Sequence, residues 1–509
     1  MPPGSRAATV NIKQNGQWTN EHENVVQAYD RLYEVWNPPA PNPDFLGDLS
    51  LTVAALQGIL GEAMTDKVRL RAIGGGWSLS AAAVTDGRLI DTRPMNWYFP
   101  IAPTGVVPAY PGNVGQLMYL QCGVSIDEAN ALLFQQAPPL ALKTSGASNG
   151  QTIVGAVSTG THGSRFQFGA TPDFVVGMHI ITAPDRVIWL EQASYPVISD
   201  GLAAKLGVEI VRDDTLFSSA LVSFGSFGLL HGVLIETEPL FLLEAWRKRI
   251  PIDASLKQAM QTLTFGGIPL QYPDTTPFHF EVVVNPHDTA SGAYVTAMWQ
   301  RAYAPGYPTP PQTPAGLGPG DNLLGFMGTL GSVLPGLVPA MVNRLVAAEY
   351  PIYGPLFGTP GEIFDSNFTL QKDMSCEIGV PMGSSASALE VMLALPELAD
   401  FPGIIAFRWV KQSKALLAFT KFPTTCAIEL PAAYSDLTTT YYNAVWKALD
   451  TAGIPYTLHW GQMNNFTPAG VQTMYGAARD QWVASRNRIL DPAEREVFTS
   501  PFLQQCGLG

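Results

Sequence analysis

The chain has 509 residues, 46% of them apolar and 14% charged, enough for two or three domains around a large core and too apolar for a disordered chain. Its 29 Lys and Arg against 42 Asp and Glu give a net charge of −13, and the basic residues form no long cluster, which argues against nucleic-acid binding. Four cysteines, Cys122, Cys376, Cys426 and Cys506, lie far apart with neither metal nor disulfide spacing. That pattern predicts no metal site and, with no apolar signal core at the N-terminus, a cytoplasmic setting.

In chain order, residues 68–78 (VRLRAIGGGWS) alternate and then break at glycine, as a strand running into a loop does. Residues 145–164 (SGASNGQTIVGAVSTGTHGS) form a second element dense in Gly, Ser and Thr. Residues 173–191 read as two strands joined by a turn at Ala183-Pro184-Asp185-Arg186. Residues 226–244 (SFGLLHGVLIETEPLFLLE) form another extended run. The first 240 residues are therefore α+β and strand-rich.

Beyond Ala245 the segments FHFEVVVNP (278–286) and GIIAFRWVKQ (403–412) predict strands, while 384–400 and 435–453 predict amphipathic helices. Ser435 is placed to cap the second helix and Gly453 to stop it. The Pro/Gly-rich run 303–322 reads as loop. The uncharged stretch 322–343 holds Pro335, Pro339 and four glycines, which argues against a spanning helix. It reads as a buried or lid-like segment, the alternative being an apolar flap that touches lipid. A last helix is expected from about Pro468 to Leu490, with Val471, Met474, Tyr475, Ala478 and Trp482 on one face.

Consecutive backbone N–H groups in a glycine run form an anion nest that only glycine lets a diphosphate approach closely. No GxGxxG leads into a helix and no GxxxxGK[ST] is present, so neither a Rossmann site nor a P-loop is indicated. The ordered motifs GGGWSLS (74–80), GASNGQTIVGAVSTGTHGS (146–164), GSFGLLHGVLIETEPL (225–240) and LHWGQ (458–462) resemble the FAD-binding signatures of vanillyl-alcohol-oxidase-type flavoproteins. The resemblance is closest to their aldonolactone and alditol oxidase branch.

That resemblance implies a two-domain FAD-binding oxidoreductase fold. A FAD-binding domain would span 1–240, a cap domain with an antiparallel sheet flanked by helices 241–455, and a C-terminal segment 456–509 would return to the first domain. It implies cofactor contacts from Ala72, Ile73, Gly74, Gly75, Gly76, Trp77 and Ser78. Further contacts would come from Ala147, Ser148, Thr152, Gly155, Thr159, Gly160, Thr161 and His162, with Val233 on the adenine or ribose side and His459 near the flavin.

Departures from the pattern bear on substrate. Trp77 stands where the family carries a histidine that often bonds the flavin covalently, which implies noncovalent FAD. The cap pattern ExR reads Ala406-Phe407-Arg408, and the lysine of HWGK is Gln462. With these polar positions lost, the expected substrate is a hydrophobic small molecule rather than a polyol or sugar lactone. The expected chemistry is oxidation of a CH–OH or activated C–H group by hydride transfer to flavin N5, with oxygen or an electron carrier as acceptor. Arg408 would steady negative charge, or else simply pair with a cap carboxylate; His459 or Glu281 would take the proton. Alternatives are a dehydrogenase with a non-oxygen acceptor and a non-redox flavin- or lipid-binding scaffold.

Overall fold

A computed structural model describes residues 7–38, 45–146, 148–310, 334–365 and 373–509. Three main sheets organise the chain. A four-stranded sheet runs in the order Thr9–Thr19, Val26–Trp36, Arg88–Asp91, Leu70–Ile73. A six-stranded sheet follows the order Glu209–Arg212, Arg186–Glu191, Val175–Ala183, Leu229–Glu236, Leu117–Gln121, Tyr98–Pro100. The largest, with eight strands, is ordered Tyr353–Gly358, Phe241–Ile250, Ala293–Ala302, His279–Val284, Ile405–Lys411, Thr424–Glu429, Glu377–Pro381, Thr457–Leu458. The first two sheets mix parallel and antiparallel pairs, and the third is antiparallel throughout. Together with the helices this is an α+β fold.

Most expected elements form where the patterns put them. The turn at 183–186 joins Val175–Ala183 to Arg186–Glu191. Helix Asp436–Thr451 is capped by the Ser435 side chain, which accepts from the Thr438 N–H, and Gly453 follows it at φ 66°. Two expectations fail. The 384–400 helix is the α-helix Ser385–Leu393 followed by a separate 3-10 turn, Pro396–Asp400, because Pro396 does not continue an α-helix. The 468–490 helix is two helices, Pro468–Tyr475 and Ala477–Ile489, because Gly476 sits between them at φ 54°, ψ −127°. That conformation lies outside the helical region and is one that only glycine adopts readily. Val471, Met474, Tyr475 and Trp482 are still buried, while Ala478 is half-buried.

Of the apolar stretch 322–343, residues 322–333 lie outside the described residues. The rest enters a helix, Val338–Glu349, whose Val338, Val342, Leu345 and Val346 pack with Val283, Tyr294 and Ala406 on one face of the eight-stranded sheet. Residues on one sheet face recur every second position, so that face is also the one bearing Glu281 and Arg408. Among the described residues no helix is long and apolar enough to cross a membrane.

Candidate functional site

A cavity of ≈ 350 Å³ opens between the glycine loop after Leu70–Ile73, the second glycine-rich element and the edge of the eight-stranded sheet. Its size falls in the range of ligand sites. The sequence-predicted residues Ala72 to Ser78, Ser148, Thr152, Gly155, Thr159, Thr161, His459 and Gln462 all line it. His162, Gly160, Val233, Ala406, Arg408 and Glu281 do not, and Ala147 lies outside the described residues. Val233 is fully buried and paired on both sides in its sheet; Leu230, on the same strand, reaches the cavity instead.

The two glycine-rich elements need each other. A Cβ on Gly74 would lie 2.2 Å from Thr152 Oγ1, and one on Gly75 would lie 2.3 Å from the Gly150 carbonyl oxygen. Gly76 takes φ 72°. The glycines therefore serve close packing of the two loops as well as access to the cavity. Trp77 covers Gly150, where a Cβ would fall 2.5 Å from the indole. The indole lines the cavity and meets His22 edge-on, with ring centroids 5.7 Å apart.

His22 comes from the turn between the first two strands, which sequence patterns did not single out. That turn clasps the glycine loop. Glu21 N–H donates to Gly76 O at 2.9 Å, Asn20 Nδ2 to Ser78 O at 3.0 Å, and Asn24 Nδ2 to Leu79 O at 2.8 Å. From the other side, Leu79 N–H donates to Gly461 O at 2.8 Å and Ser80 Oγ to Trp460 O at 2.6 Å, which fixes the HWG segment beside the loop.

His459 in that segment is buried, and burial pushes its pKa down to about 4. Its Nδ1 accepts from the Gly461 N–H at 3.1 Å, so the neutral ring carries its proton on Nε2 and offers a donor. His162 stands close by, ring centroids 5.9 Å apart. Its Nδ1 faces the Gly163 carbonyl at 2.7 Å and its Nε2 faces Glu377 Oε1 at 3.0 Å. Both ring nitrogens of His162 thus face oxygen atoms. Glu377 is buried, which alone would raise its carboxyl. His162, then Arg408 and His459, win and hold it well below the ordinary carboxylate range.

Arg408 is paired with two carboxylates, Glu377 at 3.2 Å and Glu429. Burial opposes its charge, but Glu429, Glu377 and Glu281 together raise it above the ordinary guanidinium value. Glu281 stands directly opposite Arg408 in the adjacent strand, on the side away from Glu429, and does not line the cavity. Glu429 does, next to Ser375, whose hydroxyl donates to it at 3.2 Å. Glu429 also lies opposite Ala406. The carboxylate missing from the Ala406-Phe407-Arg408 run is thus supplied from the neighbouring strand. No sequence spacing marks it, since 22 residues of loop and strand lie between the two positions.

The cavity suits FAD. It joins a glycine nest to buried polar atoms that lack a protein partner, namely Arg71 Nη1, Gln151 Oε1 and Gln462 Oε1, all from lining residues. Ser158, Thr159 and Thr161 add hydroxyls along the same wall. Among the described lining residues, the groups that could bond a flavin covalently are His22, His459 and Cys122. Of these, Cys122 is pushed up to about 12 by burial and holds no thiolate near neutrality.

Residues 51–191 match the FAD binding domain family. An L-gulono-1,4-lactone dehydrogenase of Mycobacterium tuberculosis is 26% identical over 451 residues, covering 86% of this chain and 91% of that protein. A putative D-arabinono-1,4-lactone oxidase of Neurospora crassa is 28% identical over 137 residues, 27% of this chain and 21% of the other. Among solved structures, cholesterol oxidase from Brevibacterium sterolicum superposes with a TM-score of 0.67 over 99% of both chains at 13% identity, which establishes a shared fold. The fold and the cavity define a FAD-binding oxidoreductase. This chain is a FAD-dependent enzyme similar to the sugar-lactone oxidoreductases in sequence and to cholesterol oxidase in architecture.

Proposed function

We propose that the protein oxidises the CH–OH group of an apolar alcohol, with Glu429 taking the hydroxyl proton, Arg408 steadying that carboxylate and His459 Nε2–H donating to the substrate oxygen. The observation that carries this reading is Glu429: it is the carboxylate at the cavity wall, held by Arg408 and Ser375. When bound, FAD supplies the two-electron acceptor for the carbinol hydride. A carboxylate held in place beside a reacting hydroxyl contributes as a general base without reorganising.

An apolar substrate is favoured by the surroundings of this group. Met374, Pro431 and Ala432 line the cavity beside Glu429. Helix Val338–Glu349 lays valines and a leucine on the sheet face that carries Ala406. Arg408 and Glu377 are engaged with each other and with His162, so they are not free to bind several substrate hydroxyls. The fold neighbour named as a cholesterol oxidase agrees with an apolar alcohol.

The second reading, a sugar lactone, is favoured by the Mycobacterium tuberculosis relative, whose name gives that substrate. Residues 1–240 with 456–509 would hold the cofactor and 241–455 the substrate, the glycine loop and His459 lining the cavity from the first set and Glu429 and Ser375 from the second. An oxygen electrode decides between the readings. Apolar secondary alcohols should drive oxygen uptake and peroxide release, and gulono-1,4-lactone and sorbitol should not. Rapid turnover of the lactone would support the second reading. Turnover of alcohols with an artificial dye alone would identify a dehydrogenase.

A further inference from the structure

Arg71 lies three positions before Gly74, on the strand Leu70–Ile73, and is only 5% exposed. Its Nη2 donates to the Ala82 carbonyl, while its Nη1 is shut off from bulk water and has no hydrogen-bond partner. Among the described residues no carboxylate lies within 4.0 Å of this guanidinium. What lies near is a second cation: burial first, and then repulsion from Arg486, bring Arg71 down to about 10, which still leaves it charged at neutral pH. Arg486 differs, because carbonyls of Ser226 and Arg495 and the Thr499 hydroxyl take up its N–H groups at 3.0, 2.9 and 2.7 Å.

An ion buried with no counter-ion is costly, and proteins retain one where a ligand supplies the opposite charge. Arg71 lines the cofactor cavity, on the wall shared with the glycine loop, Ser158, Phe224 and Gly225. At Gly225, which takes φ 65°, a Cβ would stand 3.5 Å from Arg71 Nη1, so the backbone of this turn packs beside the guanidinium. We propose that Arg71 is the counter-ion of the FAD diphosphate, so that this site selects the diphosphate arm by charge as well as by the glycine nest. Guanidinium pairs well with phosphate oxygens because its N–H groups match them in a plane.

The proposal rests on FAD as the cofactor, and its test keeps the two apart. The holoenzyme is stripped of flavin, and fluorescence titrations with FAD, FMN and riboflavin follow for the wild type, Arg71→Met and Arg71→Lys. The wild type should bind in the order FAD, FMN, riboflavin. Arg71→Met should lower FAD affinity by between about 10- and 100-fold, the worth of a hydrogen bond to a charged group. It should leave riboflavin affinity unchanged and should not lower the melting temperature of the stripped protein, because an uncompensated charge has gone. Arg71→Lys should keep a clear preference for FAD over riboflavin. Equal losses for FAD and riboflavin, or no loss at all, would overturn the role of Arg71 while leaving FAD as the cofactor. Failure of the wild type to bind FAD would overturn the cofactor itself.

Discussion

Ala406 and Glu429 face each other across adjacent antiparallel strands, and the carboxylate of Glu429 reaches Arg408, two residues along the Ala406 strand. Directly opposed Cβ atoms lie about 4.5–5.5 Å apart, so a carboxylate can change strands without leaving its guanidinium. Among the described residues lining the cavity, Glu429 is the one acid group, and it has a fixed partner.

Replacing that group tests its role. Glu429→Gln should keep FAD bound and slow flavin reduction by on the order of 10²–10⁴, the range for loss of a general base. Moving the carboxylate back, with Ala406→Glu and Glu429→Ala together, should restore part of the rate. Stopped-flow absorbance under nitrogen reads both. An unchanged rate in Glu429→Gln would remove it from the mechanism.

Arg408→Ala should slow reduction by about 10²–10³ while the protein stays yellow, as expected for one electrostatic stabiliser. It also leaves Glu377 and Glu429 without their shared cation, at a stability cost of roughly 3–5 kcal/mol for a broken buried pair. Arg408→Lys should fold better yet recover little rate, since an ammonium does not present two N–H groups in a plane. Denaturant midpoints and single-turnover rates separate the two effects.

Much of the cofactor side was legible in the sequence, and much of the substrate side was not. Glycine nests are local: residues 74–78 and 148–161 declare themselves because a close approach or a positive φ forbids most side chains. Glu429, Glu377 and Arg71 did not declare themselves. Glu377 and Glu429 meet Arg408 through strand register in an antiparallel sheet, which the spacing of the residues does not encode. Arg71 looked like the polar half of an alternating strand, and its missing counter-ion is visible only in three dimensions. His22 reaches the cavity because a hairpin turn folds over the glycine loop, a tertiary contact with no motif of its own. The break at Gly476 was missed for a simpler reason: one glycine within an apolar period reads as a tolerated helical residue.

FAD should leave the protein on acid precipitation, so that the yellow colour passes a filter and none stays with the chain. Trp77 has no nucleophilic ring nitrogen, and the Cys122 thiol stays protonated. Intact-protein mass spectrometry checks it, and a flavin adduct on any residue, His22 included, would contradict the noncovalent account. Trp77→Ala should weaken FAD binding by exposing the Gly150 side of the cavity.

Stability should fall as pH drops from about 6.5 towards about 4. His179, His279 and His459 are each pushed down to about 4 by burial, and His231 well below its ordinary value by burial and by His179. In that window the unfolded chain binds protons that the folded chain refuses, so each of these histidines costs about 1.4 kcal/mol per pH unit. Above the unfolded value the contribution is complete and flat. Glu377, held low in the fold, adds a loss only as pH falls through and below its ordinary 4.5. Urea midpoints at pH 7 and pH 5 should differ accordingly, and His179→Phe should remove about one histidine's share of the slope. A slope that does not change would show that His179 is already protonated in the fold.

The most direct test of the central claim is anaerobic reduction of the bound flavin by an apolar secondary alcohol, with hydrogen or deuterium on the carbinol carbon. The account predicts that the oxidised-flavin absorbance bleaches in a single turnover, several-fold more slowly with deuterium, and that Glu429→Gln lowers the rate for both isotopologues. Bleaching by gulono-1,4-lactone but by none of the apolar alcohols would contradict it.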